Sequence, residues 1–164
     1  MWSALMPLCG LPGAVLGASA DGGVKDPGRV PDLALWLDAA ELSSLTLEAG
    51  RLARWADRSG CGEGVAQPEP DARPAVSGLV QGGHHPIAFD GATQFLAGPP
   101  VLPAGCPGYT IVALWRPRRN AGVQSVFEQA TTPLTPNTRA ALLVVNEAYG
   151  FNGESNDCHS LVPF

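Results

Sequence analysis

The sequence predicts an all-β chain: short antiparallel strands stacked as a two-sheet sandwich, with one short helix. Three observations predict it. Glycine and proline, 20 and 16 of the 164 residues, make up over a fifth of the chain, against a usual share of roughly 12%, which leaves little room for long helices. Three short motifs are spaced along the chain: Trp36-Leu37-Asp38-Ala39, Trp55-Ala56-Asp57-Arg58-Ser59-Gly60 and Phe89-Asp90-Gly91-Ala92-Thr93-Gln94-Phe95-Leu96. In each, an apolar or aromatic residue is followed within a few positions by an aspartate or glycine, as where a strand runs into a turn. Finally, Tyr109-Thr110-Ile111-Val112-Ala113-Leu114-Trp115 is β-branched and aromatic and is bounded by Gly108 and Pro117, the plainest strand in the chain.

In chain order, residues 1–20 carry two readings. Trp2 to Ala20 is apolar and uncharged, and Ala18-Ser19-Ala20 before Asp21 has the small-x-small form of a cleavage site. That favours a signal peptide and a secreted or cell-envelope protein. No Lys or Arg precedes Lys25, and Pro7, Pro12 and three glycines interrupt the apolar run, which favours a disordered or mis-started N-terminus and a cytoplasmic chain. Residues 21–31 are a Gly/Pro-rich linker. The domain then occupies residues 32–164, one domain by length. Leu33 to Leu37 reads as a first strand buried on both faces. Asp38-Ala39-Ala40-Glu41 has the form of a helix start, with Leu42 and Leu45 at helical spacing and Glu48-Ala49-Gly50 as its end.

Arg51 to Trp55 alternates polar and apolar, as a half-buried strand does, and Asp57 to Gly64 is a loop. Gln67 to Pro74 is an extended, proline-rich connection. Two short strands, Pro86 to Phe89 and Gln94 to Leu96, flank the Asp90-Gly91 turn. Gly98 to Pro107 is a loop, Gln124 to Gln129 and Ala140 to Asn146 are strands, and Tyr149 to Gly153 begins another.

Charge narrows the partners. A net charge of −5 and 15% charged residues oppose nucleic-acid binding, which needs a basic surface. The cluster Arg116, Arg118, Arg119 reads as a solvated strand end, with an anion site as the alternative. No uninterrupted apolar run is long enough for a membrane span. Cys9, Cys61, Cys106 and Cys158 lack the C-x-x-C spacing of a zinc ribbon or redox pair. In an exported chain Cys61 and Cys106 are the loop cysteines best suited to pair; in the cytosol all four stay reduced.

Trp-Leu-Asp-Ala, then Trp-x-Asp-x-Ser-Gly about twenty residues on, Phe-Asp-Gly with an apolar pair after it, and an apolar strand ending in Arg-Pro together resemble the opening half of a laminin-G-like domain. Such domains belong to the concanavalin A-like lectin and glucanase superfamily, a two-sheet antiparallel jelly roll. The resemblance spans Pro31 to about Phe164 and implies an incomplete jelly roll, because domains of this type continue for several more strands. It implies a noncatalytic lectin-like module for carbohydrate or protein binding, in an exported bacterial protein. The alternative is a structural or interaction fragment whose open sheet edge is completed by a partner chain or by further strands.

The residues offer no catalytic set. A glycosidase of the superfamily would carry paired carboxylates as Glu-x-Asp-x-x-Glu, and no such run exists. Glu147 and Glu154 are isolated, while Asp38, Asp57 and Asp90 suffice as caps or turn formers. Ser59 and Ser77 lack a nucleophile setting. The chain is expected not to be an enzyme. Trp36, Trp55, Phe89, Asp90, Gly91 and Trp115 are expected structural anchors, with Phe95 joining the aromatic core. Candidate ligand-binding residues are Trp55, through stacking on a sugar, with Asp57 beside it, and Asn156 and Asp157. The last two sit in a polar cluster with Cys158 and His159 that could supply oxygen ligands to Ca2+; otherwise no cofactor is expected. His84 and His85 read as a surface turn after Gly82-Gly83.

Overall fold

The computed structural model of the chain describes residues 3–8, 26–103, 108–118, 122–130, 139–145, 148–152 and 158–159. Twelve strands are present among them: β1 Ser3–Leu8, β2 Leu33–Asp38, β3 Leu45–Glu48, β4 Arg51–Trp55, β5 Val65–Ala66, β6 Ala75–Val76, β7 Ile87–Ala88, β8 Val112–Ala113, β9 Val123–Gln129, β10 Ala140–Val145, β11 Ala148–Asn152 and β12 Cys158–His159. All their pairings are antiparallel, and the helical residues described form single 3-10 turns. The all-β class holds. The strands form three open sheets, ordered β2-β1-β8, β12-β11-β10-β9 and β3-β4-β6-β7 with β5 also on β4. Met1–Val101 with Pro107–Trp115 make one compact unit, and Leu102–Cys106 with Arg116–Phe164 the other.

In the first unit, Leu33, Leu35, Trp36 and Leu37 of β2 are all buried. Consecutive burial means that both faces are covered, as its unbroken apolar run predicts. Its neighbour β1 lies in the segment where the sequence left a signal peptide or disorder open. Here Leu5 stands opposite both Trp36 and Val112, so β1 is the middle strand of its sheet. A short apolar run satisfies a strand and a signal core equally, and periodicity does not separate them.

The helix expected after Asp38 shrinks to one 3-10 turn, Leu42–Ser44, whose cap is Glu41 rather than Asp38. Leu45–Glu48 is strand β3, paired with β4 through a bulge at Thr46/Leu47. The glycine read as a helix stop closes a hairpin instead. Ala49 and Gly50, both at positive φ (49° and 76°), form a two-residue connection between Glu48 and Arg51, the left-handed geometry that matches strand twist.

The connection at residues 67–74 is not simply extended. It holds a 3-10 turn, Pro70–Ala72, and ends in the buried Arg73. The Arg73 guanidinium donates to Gln67 O at 2.8 Å, Pro68 O at 2.8 Å and Glu48 Oε2 at 2.6 Å. Gln67, also buried, donates from Nε2 to Phe95 O and accepts from Glu69 N. Each buried polar group in this knot thus has partners, as burial requires.

Beyond it, β6 and β7 form a hairpin arm whose tip, Gln81 to His84, turns on Gly82 and Gly83 at positive φ. The turn expected there is present. Residues 94–96 form no strand; Ala97 makes an isolated bridge to Ala66. Residues 108–118 alternate exposed and half-buried without a break, although only Val112–Ala113 joins a ladder.

In the second unit the β9-β10-β11 meander follows the expected strands, and Ala140, Ala141, Leu143 and Val144 form its buried core. Leu102 is bound by the Gln129 amide at both backbone groups, N to Oε1 at 2.9 Å and O from Nε2 at 2.8 Å. Residues 131–138 lie outside the described residues. Among the described residues no helix is long and apolar enough to cross a membrane.

Candidate functional site

The first two motifs lock together. Asp57, two residues past the end of β4, accepts from the backbone N of Trp36 at 2.8 Å, twenty-one residues away, and from Ser59 N at 2.8 Å and Ser59 Oγ at 2.6 Å. The next residue donates its own N–H to Trp36 O at 2.9 Å. Its side chain doubles back: the Arg58 guanidinium lies 4.0 Å from the centre of the Trp36 ring and bonds Asp38 Oδ2 at 2.9 Å, with Glu41 Oε2 at 3.9 Å. Asp38 Oδ1 accepts from Ala40 N at 2.9 Å, which shapes the turn leaving β2. Thus each motif aspartate has several protein partners.

This geometry corrects the sugar-stacking candidate Trp55. The residue is only 5% exposed, and stacking needs an open ring face. Asp57 beside it is spent on the backbone of β2 and its own loop. Trp36 is likewise buried. Trp115 is half-buried. Cys61 carries a free thiol that donates to Leu33 O at 3.3 Å, and Cys106, its expected partner in an exported chain, lies outside the described residues.

The third motif behaves differently. Asp90 organises its own loop: Oδ1 accepts from the backbone N of Ala92, Thr93 and Gln94 at 2.9, 2.9 and 3.0 Å, and Oδ2 from Thr93 Oγ1 at 2.7 Å. Gln94 Oε1 in turn accepts from Asp90 N at 2.9 Å. Donation from the Ala92 N–H, then from Gln94 and Thr93, holds the Asp90 carboxyl well below the usual carboxylate range. Gly91 sits in this turn at φ 71°.

The flanking rings do not go inside. Phe89 is 38% and Phe95 57% exposed, against the expectation that both are core. The reason is a loop fastened by its backbone. Phe95 donates from N to Ala72 O at 3.2 Å and accepts at O from buried Gln67 at 3.2 Å. With the main chain so anchored, the ring is not needed to hold the loop down. Two aromatic residues therefore stand at the surface on either side of a hydrogen-bonded polar turn. This is the candidate site.

Elsewhere, Ser59 and Ser77 act in local turns, accepting from Cys61 N and Leu79 N. His84 is half-buried and His85 exposed, its Nδ1 3.0 Å from Ser77 O. Arg116 and Arg118 are exposed. Among the described residues no group of three His, Cys, Asp or Glu could hold a metal. Asn156 and Asp157, the Ca2+ candidates, and Glu147, Glu154 and Arg119 lie outside the described residues. The exposed pair Phe89 and Phe95 was missed as a site because aromatic residues flanking an Asp-Gly turn read equally as core. The one sequence signal was the polar run Thr93-Gln94 directly against Phe95.

Comparison of the chain with protein-family models, with curated proteins and with solved structures finds no match.

Proposed function

We propose that the chain is a noncatalytic binding module of lectin-like, jelly-roll type that engages carbohydrate through Phe89 and Phe95, in an exported or envelope-associated protein. The observation that carries this reading is the exposure of both rings beside a turn held rigid by the Asp90 carboxylate. Aromatic faces stack on the apolar C–H face of a sugar, while adjacent amides and hydroxyls meet its hydroxyl groups. A loop fixed before binding loses little entropy on binding. The motif aspartates support a noncatalytic role, since Asp38, Asp57 and Asp90 all serve turns and backbone.

The test is a glycan array followed by calorimetry on the hits, with Phe95→Ala and Phe89→Ala compared against the wild type. Exposed side chains away from special contacts change stability little, within about 0.5 kcal/mol, so binding should fall about tenfold or more with the melt unchanged. A folded wild-type protein that binds no glycan overturns the reading.

A second reading has its own support. On the extended segment 109–117, Val112 and Leu114 share one face and are 53% and 51% exposed. An apolar strand face of this kind is normally covered by a second layer. On this reading the chain is an interaction piece completed by further strands or by a partner chain. A monomeric protein with a cooperative melt and no exposed-surface dye binding counts against it.

A further inference from the structure

We propose that the Asp57–Cys61 loop is a plug that closes the outer edge of β2 against pairing with a second copy of this chain. β2 ends its sheet, with β1 on its inner side. On the outer side Trp36 N–H is taken by Asp57 Oδ1 at 2.8 Å, and Trp36 O receives Arg58 N–H at 2.9 Å. Both ladder groups of Trp36 are thereby used, as in a hydrogen-bonded antiparallel pair. The carboxylate stands where a neighbouring strand would offer its carbonyl.

Two residues along the same edge, Asp38 O accepts Glu41 N at 3.3 Å and Ser44 Oγ at 3.2 Å, and at the start of the strand the Cys61 thiol donates to Leu33 O at 3.3 Å. The Arg58 side chain then lies over the Trp36 ring. A side-chain acceptor fits one residue and cannot propagate, so the plug ends the sheet where a real strand would extend it.

The occupant excluded is argued from β2 itself. Leu33-Ala34-Leu35-Trp36-Leu37 is apolar and uncharged, has no proline or glycine, and is bared of its plug an edge suited to pair with its own kind. Antiparallel pairing of β2 with β2 is two-fold and closed, which consumes both edges at once.

Sedimentation of the full chain across a concentration series tests this. Removing the acceptor in Asp57→Ala should let the chain self-associate at about a tenth of the concentration the wild type needs, the worth of one charge-assisted hydrogen bond. Trp36 amide exchange should be fast in its monomer and slow in the associated form. Asp57→Asn, which keeps an acceptor and loses the charge, should fall between Asp57→Ala and wild type. Arg58→Ala keeps its backbone N–H and should match wild type. Leu52→Ala, which empties a fully buried site in β4, controls for lost stability. The proposal is overturned if Asp57→Ala and Asp57→Asn associate no more than wild type, or if Arg58→Ala or Leu52→Ala associates as strongly as Asp57→Ala.

Discussion

Arg73 Nη1 lies 2.6 Å from Glu48 Oε2, joining the end of the proline-rich connection to the last residue of β3. The two ends differ in setting: the Arg73 side chain is 10% exposed and that of Glu48 58%. Most of the value of this arginine is therefore in its bonds to the Gln67 and Pro68 carbonyls, not in the ion pair. Arg73→Lys should destabilise by about 2 kcal/mol, since one ammonium cannot reproduce a planar fork aimed at three acceptors. Glu48→Ala should cost less than about 1 kcal/mol. Urea melts of the two variants check the difference.

Gly64 should be intolerant where Gly60 is not. Both have positive φ, 86° and 83°. A Cβ at Gly64 would overlap the Trp55 carbonyl oxygen and lie 2.6 Å from Asp57 N, whereas at Gly60 it meets nothing within 4 Å. Gly60→Ala should cost about 1 kcal/mol, the conformational penalty alone. Gly64→Ala adds a backbone clash and should exceed about 3 kcal/mol or prevent folding. Paired denaturation curves decide it.

Ala49 offers a stabilising change. Its φ of 49° in the β3–β4 hairpin is strained for a residue with a Cβ and no side-chain hydrogen bond. Ala49→Asn, which tolerates this region, should raise stability by about 0.5–1 kcal/mol, seen as a higher urea midpoint at constant slope.

Asp90 sets part of the acid limb. Its folded-state pKa lies below the ordinary Asp value because three backbone N–H groups and the Thr93 hydroxyl favour the carboxylate. As pH falls, the unfolded chain takes up this proton first. The stabilisation is thus complete above about 3.9 and is lost as pH falls from there toward the lower folded value. Asp90→Asn should flatten that part of a stability-against-pH series; an unchanged acid limb would refute the assignment.

Strands β2, β4, β9, β10 and β11 were legible because their apolar residues repeat at strand spacing over five or more positions. Leu45–Glu48 was misread as helix. Leu42 and Leu45 fit a helical face, Gly50 fits a helix stop, and the competing signal, a partner in β4, is a tertiary contact. The β-branched, aromatic run at residues 109–115 was legible as a strand, yet a ladder forms at only two of its residues, because pairing depends on β1 lying alongside. Asp90 as a turn former was also legible, since its carboxylate bonds Ala92, Thr93 and Gln94, all within four residues.

Local chemistry in the sequence thus determined the all-β class, most strand positions, the turns at Asp90 and Gly82-Gly83, and the burial of Trp36 and Trp55. Tertiary structure alone decided that Asp57 serves the backbone of Trp36, that Arg73 is buried against Gln67 and Glu48, and that Phe89 and Phe95 face solvent. The physical reason is range. Periodicity and turn propensity act over a few residues, whereas Asp57 meets Trp36, Arg73 meets Glu48 and Gln67 meets Phe95 across 21, 25 and 28 residues.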